Sequence, residues 1–186
     1  MCNINDNKDK ITIYNGDSEE ILKRIEDNSI DCIITSPPYN ISKNYSCYDD
    51  NISSEEYFTK MYSIFKECYR VLKDDGRLIV NSAFCMIDKK SKEPKFVFLN
   101  LANAIKMNGF KDMDIIIWSK GDENFIKNYN YSNSWGSWMS ASRPVIRSDS
   151  EIIMIFAKNS IKKLRKGEST ITKEDFKKYT KNIWYI

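Results

Sequence analysis

The sequence predicts an α/β fold: a mostly parallel sheet with helices on both faces and an antiparallel strand at one edge. Three observations carry this. Short, mostly apolar runs alternate with segments of helical periodicity, the pattern of a sheet covered on both sides. The last two of those runs have no helix signal between them, so they are more easily joined antiparallel. The chain has 186 residues, 41% apolar and 13% aromatic, which is enough for one core in one domain.

Element by element, Ile11-Thr12-Ile13-Tyr14 alternates like a short strand and stops at the turn signal Asn15-Gly16-Asp17. Ser18 can cap a helix to about Ile25, because Ile21, Leu22 and Ile25 share a face. The apolar run Ile30–Thr35 is a buried strand, with a central strand's composition. Ser53 or Ser54 caps a long helix to about Leu72, in which Tyr57, Met61, Ile64, Phe65, Cys68 and Leu72 recur at helical spacing as core. Asp74-Asp75-Gly76 breaks that helix, and residues 77–81 form a third strand. A polar segment at 89–95 precedes a helix from about Phe96 to Met107, which Gly109 ends. Strands at 113–118 and 151–157 follow, and a last helix runs from a Thr172 cap to Tyr179. The connection from Trp118 to Ser150, rich in Trp, Ser, Asn and Arg, exceeds the length of an ordinary structureless loop, which points to a functional role.

Composition narrows the classes. No apolar run reaches the length of a membrane span, and the polar amino terminus lacks the apolar stretch of a signal peptide, so a cytoplasmic protein is expected. Five widely spaced cysteines, without a Cys-x-x-Cys pair or any histidine, argue against a metal site; Cys32 and Cys68 lie on apolar patterns and are expected in the core. A net charge of +3 does not by itself imply nucleic acid. Arg143, Arg147, Lys158, Lys162, Lys163, Arg165 and Lys166 suit either a phosphate backbone or a solvated lysine-rich face.

The sharpest local signal is Thr35-Ser36-Pro37-Pro38-Tyr39-Asn40, which follows the 30–34 run. A rigid polar loop at a strand's carboxyl end is where open α/β sheets place their chemistry. A hydroxyl, two prolines that lock the backbone and an aromatic ring suit a flat heterocycle with an exocyclic amino group. Taken alone, Pro-Pro-Tyr is also a common rigid turn.

Together with Asn15-Gly16-Asp17, Arg70-Val71-Leu72-Lys73 with Gly76, Ile117-Trp118-Ser119-Lys120, and Trp135-Gly136-Ser137-Trp138 with Arg143-Pro144-Val145, this loop resembles the permuted amino-group DNA methyltransferases of restriction-modification systems. The blocks occur in that family's order and cover nearly the whole chain. The resemblance implies an incomplete Rossmann-like sheet and methyl transfer from S-adenosylmethionine to an exocyclic amino group in double-stranded DNA. Ser36 leans towards N4 of cytosine; N6 of adenine, and an inactive DNA-binding remnant, are the alternatives. An exocyclic nitrogen is a poor nucleophile because its lone pair is delocalised into the ring. The Ser36 hydroxyl and the Pro37 carbonyl would accept its two hydrogens and free the lone pair for the sulfonium methyl. Tyr39 would stack on the flipped base, and Pro37 and Pro38 would pre-set the acceptors. The absence of a Pro-Cys pair argues against methylation at C5 of cytosine.

By the same resemblance Asp17 accepts from the cofactor's adenine amino group, with Ser36 and Pro37 also against the cofactor; the alternative for Asp17 is a turn-shaping role. Trp135, Trp138, Arg143 and Arg147 match the loop that faces DNA, the tryptophans being equally suited to packing. The family's Phe-x-Gly-x-Gly cofactor loop and acidic ribose-binding residue have no counterpart here; the six glycines never form Gly-x-Gly. One edge of the 30–35 strand is therefore expected to be open and apolar, and the chain to be truncated or one half of a split enzyme, completed by a polypeptide that carries Phe-x-Gly-x-Gly.

Overall fold

The computed structural model describes residues 11–46, 48–120, 135–137, 140–143, 149–164 and 167–185. A five-stranded sheet runs in the order β1-β2-β8-β5-β9, from β1 (Ile30–Thr35) and β2 (Leu72–Ala83) through β8 (Ser150–Ala157) and β5 (Lys111–Ser119) to β9 (Ile183–Tyr185). β1 pairs with β2 and β5 with β9 in parallel, while β8 runs antiparallel to both its neighbours. The antiparallel strand is thus internal, correcting its expected place at an edge. Without a crossover helix, β8 can return only against strands of opposite direction, and it fills the gap between β2 and β5. β9, an Ile-Trp-Tyr run not expected as a strand, takes the outer position beside β5.

α2 (Ser54–Val71) begins at a capping box: Ser53 Oγ accepts from Glu56 N, and the Glu56 carboxylate accepts from Ser53 N. Of the predicted stripe, Tyr57, Met61, Phe65 and Cys68 are buried in α2 and Ile64 is half-buried; Val71 joins them, and the buried Leu72 opens β2 instead. α3 (Val97–Met107) packs beside it, burying Val97, Leu101, Ala104 and Ile105. Both meet one face of the sheet, where Leu78, Val80 and Ser82 of β2 lie opposite Phe156, Met154 and Ile152 of β8, none more than 4% exposed. The alternation of elements predicts helices on both faces. Among the described residues, the helices that contribute buried side chains, α2 and α3, lie on this one; Ile79, Ile153 and Ile155 on the other are half-buried.

Three local differences have physical causes. Residues 11–14 form no strand, and Ile11, Ile13 and Tyr14 are exposed, because a strand exists only with a neighbour to pair with. α1 (Ser18–Leu22) is shorter than expected and is capped by Asp17 rather than Ser18; the Asp17 side chain accepts from Glu19 N at 2.9 Å. Asp74-Asp75-Gly76 is not a gap between elements, since β2 starts directly after α2. Ile30 pairs with Leu72 and Cys32 with Arg77, so the intervening residues bulge out within the strand. A Cβ on Gly76 would sit 2.8 Å from the Lys73 carbonyl, which is why the bulge carries glycine.

Two small hairpins complete the chain: β3 (Met86–Ile87) with β4 (Pro94–Lys95), and β6 (Trp135–Ser137) with β7 (Ser140–Arg143). The second falls inside the long Trp118 to Ser150 connection. α4 (Lys173–Tyr179) starts at the predicted Thr172 cap. Cys68 is buried as expected, whereas Cys32 is exposed. β1 is the last strand of the sheet, with the open edge expected of the 30–35 strand, and Cys32 lies with Ile34 on the face away from α2 and α3.

Candidate active site

The carboxyl ends of the parallel strands β1 and β2 meet the amino end of β8: Thr35 pairs with Val80, and Ala83 with Glu151. The Ser36-Pro37-Pro38-Tyr39 loop leaves the sheet at this crevice, the expected place for a ligand in an open α/β sheet.

The loop is held from three sides. Tyr57 Oη donates to the Pro38 carbonyl at 2.7 Å. The buried Asp50 carboxylate accepts from the backbone N–H groups of Asn40, Ile41 and Lys43 at 2.8, 3.1 and 3.0 Å. Lys95 donates to the Asn40 carbonyl at 3.3 Å and to Asp88 at 2.9 Å. Asn40 itself sits at a positive φ of 51°, a conformation asparagine tolerates better than most residues, and its side chain donates to the Ile52 carbonyl at 2.9 Å. Backbone polarity that would be unmet after the prolines is thus satisfied by side chains.

Two cavities open on either side of the loop, and Ser36 and Tyr45 line both. The first, about 350 Å³, is bounded by Asp17, Ser18, Pro38, Tyr48, Lys60, Met61 and Ile64 as well. Asp17 is held below its usual carboxylate range by the Glu19 N–H first and by Lys60 besides, at 3.4 Å. Lys60 also lies over the Tyr48 ring, and the Tyr48 hydroxyl is buried without a partner among the described residues. The second cavity, about 440 Å³, takes in Pro37, Tyr39, Ile41, Lys43, Asn81, Met86, Lys89 and Glu151. Here Ser36 Oγ and Tyr39 Oη lie 3.4 Å apart. Burial raises the Tyr39 pKa, and the negative charge of Glu151 adds to that.

Of the residues singled out from sequence, Ser36, Pro37, Pro38, Tyr39 and Asp17 therefore converge on two adjoining spaces. Trp135 and Arg143 are register partners in the β6–β7 hairpin. Trp138 and Arg147 lie outside the described residues. Asp50, Asn81 and Glu151 were missed. Asn81 and Glu151 carried a usable signal, a polar residue at the end of an apolar strand; Asp50 carried none. No group of residues suited to a metal ion occurs among the described residues, and no described helix is long and apolar enough to cross a membrane.

Residues 30–186 match the family model for DNA methylases of the N6/N4 methyltransferase type. The type II methyltransferase M.MjaVI of Methanocaldococcus jannaschii is 38% identical over 174 residues, 94% of this chain and 84% of that protein. The type II beta methyltransferase M.BslI of Bacillus sp. is 35% identical over 120 residues, 61% of this chain but 13% of its own length. In fold, the chain resembles a protein of Thermus thermophilus named as a DNA modification methylase and also solved with S-adenosyl-L-methionine (TM-score 0.66, 20% identity, 91% of this chain and 64% of that one). It also resembles the cytosine-N4-specific PvuII DNA methyltransferase (TM-score 0.60, 18% identity, 93% and 56%). The chain thus spans about three fifths of the solved structures it superposes on. On the match over residues 30–186, this chain belongs to the N6/N4 DNA methylase family.

Proposed function

We propose that this chain supplies the base-binding and catalytic part of a type II DNA methyltransferase acting on an exocyclic amino group, with N4 of cytosine as the target. The observation that carries this reading is the pair of cavities meeting at Ser36. A transfer between two ligands needs two spaces that share a wall where the reacting atoms can meet.

The first cavity suits the adenine end of S-adenosylmethionine. Its volume lies in the range of small-molecule sites, roughly 300–1,000 Å³. Tyr45 and Tyr48 offer aromatic surface for a purine, ionised Asp17 accepts from an amino group, and the unpartnered Tyr48 hydroxyl has capacity for a polar atom. When bound, the cofactor supplies an electrophilic sulfonium methyl. The second cavity takes the flipped base, with Tyr39 as stacking surface and the Ser36 hydroxyl and Pro37 carbonyl as acceptors for the amino hydrogens. Trp135, Trp138, Arg143 and Arg147 are assigned to the DNA duplex.

A complementary polypeptide that carries the Phe-x-Gly-x-Gly segment completes the cofactor site by adding a strand to β1. Supporting this, β1 is the terminal strand, Ile34 on it is 74% exposed, and Ile11, Ile13 and Tyr14 are exposed besides.

The test is tritiated methyl transfer from S-adenosylmethionine to duplex DNA, by the chain alone and mixed with the polypeptide encoded beside it. Nucleoside analysis of the product follows. Incorporation as N4-methylcytosine in the mixture alone supports both parts. N6-methyladenine overturns the base assignment, and DNA binding without incorporation identifies an inactive remnant. Micromolar S-adenosylmethionine binding by the chain alone overturns the need for a complement.

A further inference from the structure

Amino-group methylation by a sulfonium donor forms one N–C bond and breaks one C–S bond, whose electron pair stays on sulfur. It must also break one N–H bond, leaving that pair on nitrogen and releasing a proton. The loop supplies no charged acceptor for it: Ser36 offers a hydroxyl, Pro37 an amide carbonyl, and Tyr39 a phenol whose pKa burial and the nearby Glu151 charge raise. The second cavity contains one carboxylate among its described lining residues, that of Glu151 at the start of β8.

We infer that Glu151 is the proton acceptor of the reaction, taking the proton from the methylated amino nitrogen of the base in the cavity bounded by Ser36, Pro37 and Tyr39. This rests on the methyltransferase reading above.

The carboxylate is built to stay charged and in place. Asn81 Nδ2 donates to its Oε2 at 2.6 Å, and Lys120 pairs with its Oε1. With Nδ2 committed to Glu151, Asn81 presents its amide in one orientation, its Oδ1 buried without a partner among the described residues. Burial alone would raise the pKa of Glu151, but the hydrogen bonds from Lys120 and Asn81 outweigh it and bring the pKa below the usual value. Every other charged side chain described around this cavity is a cation, Lys43 and Lys89 on its wall and Lys120 behind, so the field there also favours the ionised form. Tyr39 and Tyr45 complete the titratable lining. A protonated, methylated amino nitrogen conjugated to the ring is strongly acidic. Its proton needs no strong base, only an ionised acceptor already positioned and shielded from bulk water. Asp17, the carboxylate of the adjoining cavity, stands on the side from which Pro37 and Tyr39 are absent.

The experiment compares the full chain and its Glu151→Gln variant, both with the complementary polypeptide, in single-turnover methyl transfer across pH. Wild-type transfer should hold through mildly acidic pH and fall only below the usual glutamate range, because the hydrogen bonds from Lys120 and Asn81 lower the Glu151 pKa. Glu151→Gln should lose at least about 100-fold in rate, keep its affinity for S-adenosylmethionine and DNA, and recover with added acetate or formate. A structural role would not respond to those buffers. Glu151→Asp, which keeps the charge, should retain the acid limb at a reduced rate and covers failure of the amide variant to fold. Independently of turnover, the carboxyl ¹³C resonance that Glu151→Gln removes should report an ionised group at neutral pH. Full-rate transfer by Glu151→Gln, absence of buffer rescue, or a protonated Glu151 at neutral pH overturns this inference alone. Failure of wild-type transfer overturns the methyltransferase reading and this inference with it.

Discussion

The hydroxyl of Tyr57, in the first turn of α2, donates to the carbonyl oxygen of Pro38 at 2.7 Å, so the longest helix of the chain holds the middle of its most informative loop. Tyr57 is 3% exposed, and burial raises its pKa, so it remains a donor across the working pH range. Tyr57→Phe keeps the packing and leaves the carbonyl unpaired. It should cost about 1–2 kcal/mol in urea denaturation and lower the methyl-transfer rate more than it weakens substrate binding.

Asp50 makes a larger contribution, because one carboxylate satisfies three backbone N–H groups in the segment that leaves the loop. Asp50→Ala strands those donors and releases Asn40 from its positive φ. A loss of about 3 kcal/mol is expected, with chemical-shift changes in the resonances of Ile41 and Lys43.

Asp88 sets an acid limit on the same loop. The hydrogen bond from Lys95 foremost, then the Ser91 N–H, holds its pKa far below the ordinary carboxylate value of 3.8, and Lys95 in turn binds the Asn40 carbonyl. The unfolded chain therefore takes up the Asp88 proton at a higher pH than the folded one. This stabilisation is complete above the unfolded pKa and is lost as pH falls from there through the folded pKa. Asp88→Asn should lower the melting temperature at about pH 6 and flatten its fall below about pH 4.

Lys158, 5% exposed, ends its side chain against the carbonyls of Leu72 at 2.7 Å and Arg70 at 3.4 Å and the Asn28 side chain at 2.6 Å, tying β8 to the last turn of α2. Cations belong at helix carboxyl ends. Lys158→Met should destabilise the chain by roughly 2–3 kcal/mol in thermal or chemical unfolding, since it leaves buried acceptors unmet.

Thiol labelling reads out the sheet edge. Cys32 on β1 is exposed, while burial pushes the Cys68 thiol up to about 12. At about pH 8, iodoacetamide should modify Cys32 in the native chain and reach Cys68 only on unfolding, as mass spectrometry would show. Binding of the proposed complementary polypeptide should protect Cys32.

What local sequence encodes was legible. The 30–35 strand, the Ser53 and Thr172 caps and the stripe of α2 each depend on residues within one or two turns of one another. So does the loop from Ser36 to Tyr39, whose prolines and position after an apolar strand mark it before any contact is known. Register along β2 was not legible. Asp74-Asp75-Gly76 looks like a helix stop followed by a gap, and only pairing with β1 turns it into a bulge. The exposure of Cys32 was not legible either: it lies beside Arg77 on the face of the sheet away from α2 and α3, and an apolar pattern does not show which face is covered.

The sequence by itself determined the α/β class, the Pro-Pro-Tyr loop at a strand's carboxyl end and the amino-methyltransferase resemblance, because these rest on short-range patterns of polarity, backbone restriction and spacing. Only the tertiary structure decided that β8 sits inside the sheet, that the buried helices share one face, and that Glu151 faces the same cavity as Ser36. Asn81 and Glu151 are 70 residues apart in the chain, and nothing short of strand pairing brings them within 2.6 Å.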